Sequence, residues 1–125
     1  MNKKEFHDAV MMVLKQHGPI TSRAMFGGYG IYYENAMFAC IVENELYFRI
    51  DNSIDPYFSK YRSKQFIYVF PDGRLIKLPY KVLPQIIYEN NSLLQEWIMR
   101  SYQVALQAKI KKQKKSKKTT NLSEF

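Results

Sequence analysis

Arg23-Ala24-Met25-Phe26-Gly27-Gly28-Tyr29-Gly30-Ile31-Tyr32 is the stretch on which the fold turns. Gly27, Gly28 and Gly30 sit among apolar residues of strand type. Glycine weakens a strand interior, so this density needs a cause. The cause is either a backbone torsion closed to other residues, a close approach of two main chains, or a ligand pressed on the backbone. The run is not Gly-x-Gly-x-x-Gly, and no Gly-Lys-Ser/Thr follows it. Its setting is strand to strand, which offers no helix N-terminus to hold a phosphate. A kinked or bulged hairpin, with Gly27 and Gly28 in restricted torsions, is favoured over a nucleotide loop.

Working outward, residues 22–50 alternate with period two. This predicts strands near 22–27, 29–34, 36–42 and 45–50, joined by tight turns at Glu34-Asn35 and Glu43-Asn44. In the third strand Met37, Ala39 and Ile41 are expected on one face and Phe38, Cys40 and Val42 on the other. Both sets are apolar, so the strand should be central. Before the strands, Phe6, Ala9, Val10, Val13 and Leu14 recur at helical spacing, and Gly18-Pro19 stops that helix. After them, Asp51-Asn52-Ser53 caps a short helix from Pro56 to Lys60. Phe66–Phe70 and Arg74–Leu78 read as a hairpin across Pro71-Asp72-Gly73. A brief helix follows Pro84. Ser92 and Gln95 then suggest a capping box for a long helix to about Lys112.

The run from Arg23 to Gly30, followed by Met37-Phe38-Ala39, resembles the N-terminal domain of the TfoX/Sxy family, regulators of bacterial DNA-uptake competence. Leu46-Tyr47-Phe48-Arg49-Ile50-Asp51, the Leu78–Pro84 stretch and the Trp97 helix are similar to later parts of that domain. The resemblance spans roughly residues 5–110. It implies an α+β fold of two layers, an antiparallel β-sheet meander packed by N- and C-terminal helices, like that of type III secretion chaperones. It also implies transcriptional activation beside the cyclic-AMP receptor protein. It carries no catalytic residues, and a second helical domain of full-length competence regulators is replaced here by a lysine-rich segment. Met25, Phe26, Gly27, Gly28 and Gly30, with Arg23, form the fold motif.

The formal charge of +8 is unevenly spread. Residues 109–125 hold seven lysines and one glutamate, leaving residues 1–108 nearly balanced. We therefore expect a folded domain over 1–108 and a disordered tail over 109–125. Lys109, Lys111, Lys112, Lys114, Lys115, Lys117 and Lys118 suit weak, non-specific nucleic-acid contact, an acidic protein or an anionic surface. No aromatic residue interleaves them to stack bases. Cys40 is the single cysteine, which fits a reducing cytoplasm, and no apolar run approaches membrane-spanning length.

Catalytic chemistry has little to draw on. His7 and His17 lack metal spacing and read as surface residues. Cys40 lies in an apolar strand and should be inert. No cofactor, metal or catalytic set is expected, which points away from an enzyme. Arg23 and Arg49 open or close apolar strands and should meet carboxylates or a partner. Tyr29 and Tyr33 share one sheet face and Tyr32 the other, so one tyrosine set should lie away from the helices. With Arg23 and Arg49, Tyr29 and Tyr33 form the expected partner surface. A homodimer is expected to bury the uncovered face. Two readings follow: a regulatory module that contacts a transcription factor, and a chaperone-like adaptor with no nucleic-acid role.

Overall fold

A computed structural model describes residues 1–115. The order is α1 (Lys3–Leu14), a 3-10 turn (Lys15–His17), β1 (Ile20–Met25), β2 (Gly28–Tyr33), β3 (Ala36–Val42), β4 (Glu45–Arg49), α2 (Asp55–Ser59), β5 (Gln65–Val69), β6 (Leu75–Val82), α3 (Gln85–Tyr88) and α4 (Asn91–Lys115). The strands form one antiparallel sheet in the order β1-β2-β3-β4-β6-β5. This is the expected α+β arrangement, with one departure from a simple meander. The α2 connection carries the chain past the place beside β4. The β5–β6 hairpin then returns, so β6 takes that place and β5 becomes the edge.

The glycine run divides into three separate devices. Phe26 and Gly27 form the two-residue turn between β1 and β2, with φ of 47° and 77°. Positive φ at both central residues marks the turn whose twist suits a hairpin. Gly28 does not share the positive torsion. A Cβ there would stand 2.0 Å from the Ile41 carbonyl oxygen, so its cause is the approach of the β3 main chain. At Gly30 the nearest atoms to a Cβ are methionine ends, the Met25 and Met37 sulfurs at 3.1 Å and the Met37 methyl at 3.3 Å. The expectation of restricted torsions is therefore correct for Gly27 and is replaced at Gly28 by backbone contact.

A bulge shifts the β2–β3 register: Ile31 opposes Ala39, but Tyr32 opposes Met37. The extra residue is Phe38, and it breaks the alternation expected along β3. Phe38, Ala39 and Ile41 thus join the core beneath the helices, while Met37 and Cys40 join the opposite face. All of Ala36 to Ile41 is buried, as a central strand requires.

α1 opens with a capping box. The Glu5 N–H donates to Asn2 Oδ1 at 2.8 Å, and the Asn2 N–H donates to Glu5 Oε1 at 3.0 Å. Its buried residues are Val10, Met11 and Leu14, so the apolar stripe includes Met11 where Ala9 was expected. α4 is capped by Asn90, whose Oδ1 accepts from the Leu93 N–H at 3.0 Å, and Ser92 has no capping role. Leu94, Trp97, Ile98, Ser101, Val104 and Ala105 are its buried face. Phe58 of α2 lies 4.7 Å from Trp97 between ring centroids, which seats α2 on α4. β6 runs through Pro79, beyond the expected end at Leu78. Proline has no N–H, and the register shift between Gln65 and Ile67 falls opposite this segment.

The boundary expected at Lys109 falls inside α4. Lys109 donates to the Asn35 carbonyl at 2.7 Å, and the helix continues to Lys115. Lysine is a good helix former, and the nucleated helix carries its run onward. Lys117, Lys118 and residues 119–125 lie outside the described residues. Among the described residues no helix is long and apolar enough to cross a membrane.

Gly28→Ala should lower the unfolding free energy by about 3 kcal/mol or prevent folding, because main chain must move. Gly30→Ala should cost roughly 1 kcal/mol, since methionine ends can shift. Urea melts of the two variants check the ranking, and equal losses would contradict it.

Candidate functional site

The sheet has two unlike faces. The helical face carries the larger core, including Leu14, Ile31, Phe38, Phe48, Leu94 and Ile98. The opposite face carries a second apolar cluster of Tyr32, Met37, Cys40, Tyr47, Phe66 and Tyr80. No helix contributes to that cluster, yet Tyr32 is only 8% exposed and Tyr80 is fully buried. The cover comes from the sheet itself. Phe66 of the edge strand lies 5.1 Å from Tyr47 of β4, and arginine side chains lie over the remaining rings. The second tyrosine face therefore does not need a partner to hide it, contrary to the sequence expectation.

Those arginines are Arg23 and Arg49. The Arg23 guanidinium stands 5.1 Å from the Tyr32 ring centroid, and that of Arg49 stands 5.5 Å from Tyr80. A guanidinium over a ring face gains cation–π attraction while its stem covers apolar surface. Neither arginine has a carboxylate partner among the described residues. The Nε of Arg49 is buried and makes no hydrogen bond. Salt bridging within the sheet, one of the two roles expected for them, does not occur there. The face consequently presents two positive charges uncompensated by neighbouring acids, suited to a carboxylate brought by another molecule.

Tyr29 and Tyr33 are placed elsewhere. Tyr29 stacks on His7 of α1 at 4.0 Å, and Tyr33 meets Tyr102 of α4 at 4.5 Å. Strand alternation explains the split: Arg23 opposes Gly30, so its side chain lies opposite Tyr29. The four residues expected to form one surface thus divide between the two faces.

Phe26 is a feature that residue pattern alone did not reveal. It is 70% exposed while holding φ at 47°. A bulky residue in the left-handed region costs roughly 1–2 kcal/mol. Beside it runs a cleft of about 480 Å³, bounded by Met25, Phe26, Val42, Tyr47, Phe66 and Val69. The signal that could have found it is Phe-Gly where a hairpin turn prefers Asn-Gly.

The titratable groups speak for structure. His7 joins Ser22 at 2.7 Å and Asp8 at 2.8 Å, and buried His17 joins Gln95 at 2.7 Å. Both histidines are joints between elements, not the surface residues expected. Asp51 accepts from Ser53 and Ile54 as a cap, and its carboxyl is held below the usual range mainly by the Ser53 hydroxyl. Asp55 pairs with Lys81 at 2.6 Å. Burial pushes the Cys40 thiol up to about 12, as an inert thiol requires, and does the same to the Tyr80 phenol against the opposing charge of Arg49. No group of three or more metal-ligating side chains occurs among the described residues.

The family model for the TfoX N-terminal domain matches residues 12–105, three quarters of the chain, from the end of α1 through all six strands and into α4. No curated protein matches the chain.

The raised thiol has a consequence for stability. The folded Cys40 holds its proton to about pH 12, while the unfolded thiol releases it near 9.0. Its contribution is complete below pH 9 and is lost as pH rises from there toward 12. Unfolding free energy should fall across that window, and Cys40→Ala should flatten the fall. A thiol reagent at pH 8 should label Cys40 only as fast as the chain unfolds, and rapid labelling of the native protein would contradict its burial.

Proposed function

Because the chain belongs to the TfoX N-terminal domain family, we propose that it is a non-enzymatic regulatory binding module that works through protein contact. The observation that supports this most is the Arg23–Arg49 face, two guanidiniums without acidic partners among the described residues. The strained and exposed Phe26 at the rim of the neighbouring cleft supports it further, since strain retained on a surface residue points to use.

In this reading the module acts in the cytoplasm as a homodimer and contacts a transcription factor of the cyclic-AMP receptor protein type. Transcriptional regulation of DNA-uptake competence is the process that the family resemblance implies. The lysines at the end of α4 add weak, sequence-independent affinity for DNA, because exposed ammonium groups neutralise phosphates without reading bases.

Arg23→Gln with Arg49→Gln should abolish capture of the transcription factor while leaving the melting temperature within a few degrees. Undiminished capture would remove this face from the proposal. Replacing Lys111, Lys112, Lys114 and Lys115 with glutamine keeps helix propensity and should flatten the salt dependence of duplex DNA binding, by about 3.6 in the slope of log affinity against log salt. Wild-type protein with no DNA affinity at low salt would favour the second reading, an adaptor without a nucleic-acid role.

A further inference from the structure

The cleft beside Phe26 meets β5 along the edge of that strand. Successive residues from Lys64 to Val69 line it. A strand that offered only a face would contribute every second residue. Phe66 belongs to the apolar cluster on the face away from the helices, so the Ile67 and Val69 side chains turn the other way. These two residues therefore border the cleft through main chain. The Phe70 N–H donates to the Arg74 carbonyl, and the Val82 N–H donates to the Lys64 carbonyl, so the even-numbered residues bond to β6. Alternation then points the N–H and C=O groups of Ile67 and Val69 away from β6.

The rest of the cleft is apolar, and a free charge adjoins it. Cys40, Val42 and Tyr47 form its floor, and Met25 and Phe26 its far wall. Arg23 shares the sheet face of Met25, two residues along β1, a step of about 7 Å. It also shares a cross-strand row with Cys40 and Tyr47, because Arg23 opposes Gly30 and Gly30 opposes Cys40. Gly30 places no side chain in that row, and the methionine ends that lie over it are easily shifted. Arg23 is exposed and has no carboxylate partner among the described residues. Within the cleft Lys64 is paired with Glu45. Glu43 follows Val42 beside the β1–β2 turn, so an added negative charge is favoured toward Arg23 and opposed at the turn.

We infer that the cleft binds an extended peptide segment of the partner, with an apolar side chain on the Cys40–Val42–Tyr47 floor and a carboxylate on Arg23. The β5 wall selects a peptide, because its outward N–H and C=O groups are matched by another main chain and not by an anionic amphiphile of equal volume. Arg23 selects the carboxylate by sign and by its planar fork. Strand alternation sets the acidic residue two or four positions from the apolar one. Phe26 supplies an aromatic wall, which gives its strained and exposed position a use. The inference rests on the reading of the arginine face as a protein contact and names the kind of segment it takes.

The test presents the full chain to a random octapeptide library on beads. Enriched sequences should carry an acidic residue two or four positions from an apolar one. N-methylation of alternate residues in an enriched peptide should abolish binding in one set and spare it in the other, since only alternate N–H groups face β5. Arg23→Gln should weaken that peptide about tenfold and leave its glutamine analogue unchanged. Phe26→Asn suits the turn, so it should raise the melting temperature while lowering peptide affinity about tenfold. Enrichment without acidic residues, equal binding of both N-methylated sets, or displacement of the peptide by octanoate overturns the inference. If no peptide is enriched while Arg23→Gln with Arg49→Gln abolishes capture of the transcription factor, the inference falls and protein contact at the arginine face stands. Arg23-dependent peptide binding with undiminished capture by that double variant supports the cleft and removes the transcription factor as its source.

Discussion

The contact between Gly28 and the Ile41 carbonyl is the constraint on which the rest depends. It brings the β2 and β3 main chains closer than any side chain allows. Ten residues along the hairpin, the Phe38 bulge adds a second bend. A bulge bends its strand and increases local twist. The apolar cluster of Tyr32, Cys40, Tyr47, Phe66 and Tyr80 is buried on a face no helix reaches. Phe66 packs on Tyr47 within it, and the arginines lie over Tyr32 and Tyr80.

That self-covering determines what the protein can offer to others. The helical face is occupied by α1, α2 and α4, and Tyr29 and Tyr33 are spent there on His7 and Tyr102. The opposite face is apolar below and cationic above, because Arg23 and Arg49 form its outer layer. A guanidinium offers geometry as well as sign, so under the proposed function a partner at this face is selected by charge. The β5 edge differs in kind: it carries no charge, and Ile67 and Val69 are exposed on it.

Much of this was legible in the residue pattern. The four hairpin strands, the buried cysteine, the Asp51 cap and a hairpin at the glycine run follow from period, turn chemistry and apolar context, while the bulge expected at Gly27-Gly28 lies instead at Phe38. Local signals misled where two residues compete for one task. Asn90 and Ser92 both suit a helix cap, and Asn90 wins because its side chain reaches the Leu93 N–H. The alternation of β3 failed at Phe38, since a bulge leaves no mark in a strand apolar on both faces. The histidines looked like surface residues because their partners, Ser22 and Gln95, are 15 and 78 residues away.

By itself the sequence determined the family, the α+β class and the place of the glycine hairpin. All three rest on short-range chemistry: torsions, periodicity and one distinctive string of residues. Only the tertiary structure decided which glycine serves which purpose, which face each arginine joins, and that β5 rather than β6 stands at the edge. Those outcomes depend on what lies across the sheet from each residue. Register there is decided by burial on both faces at once, and no local window contains both faces.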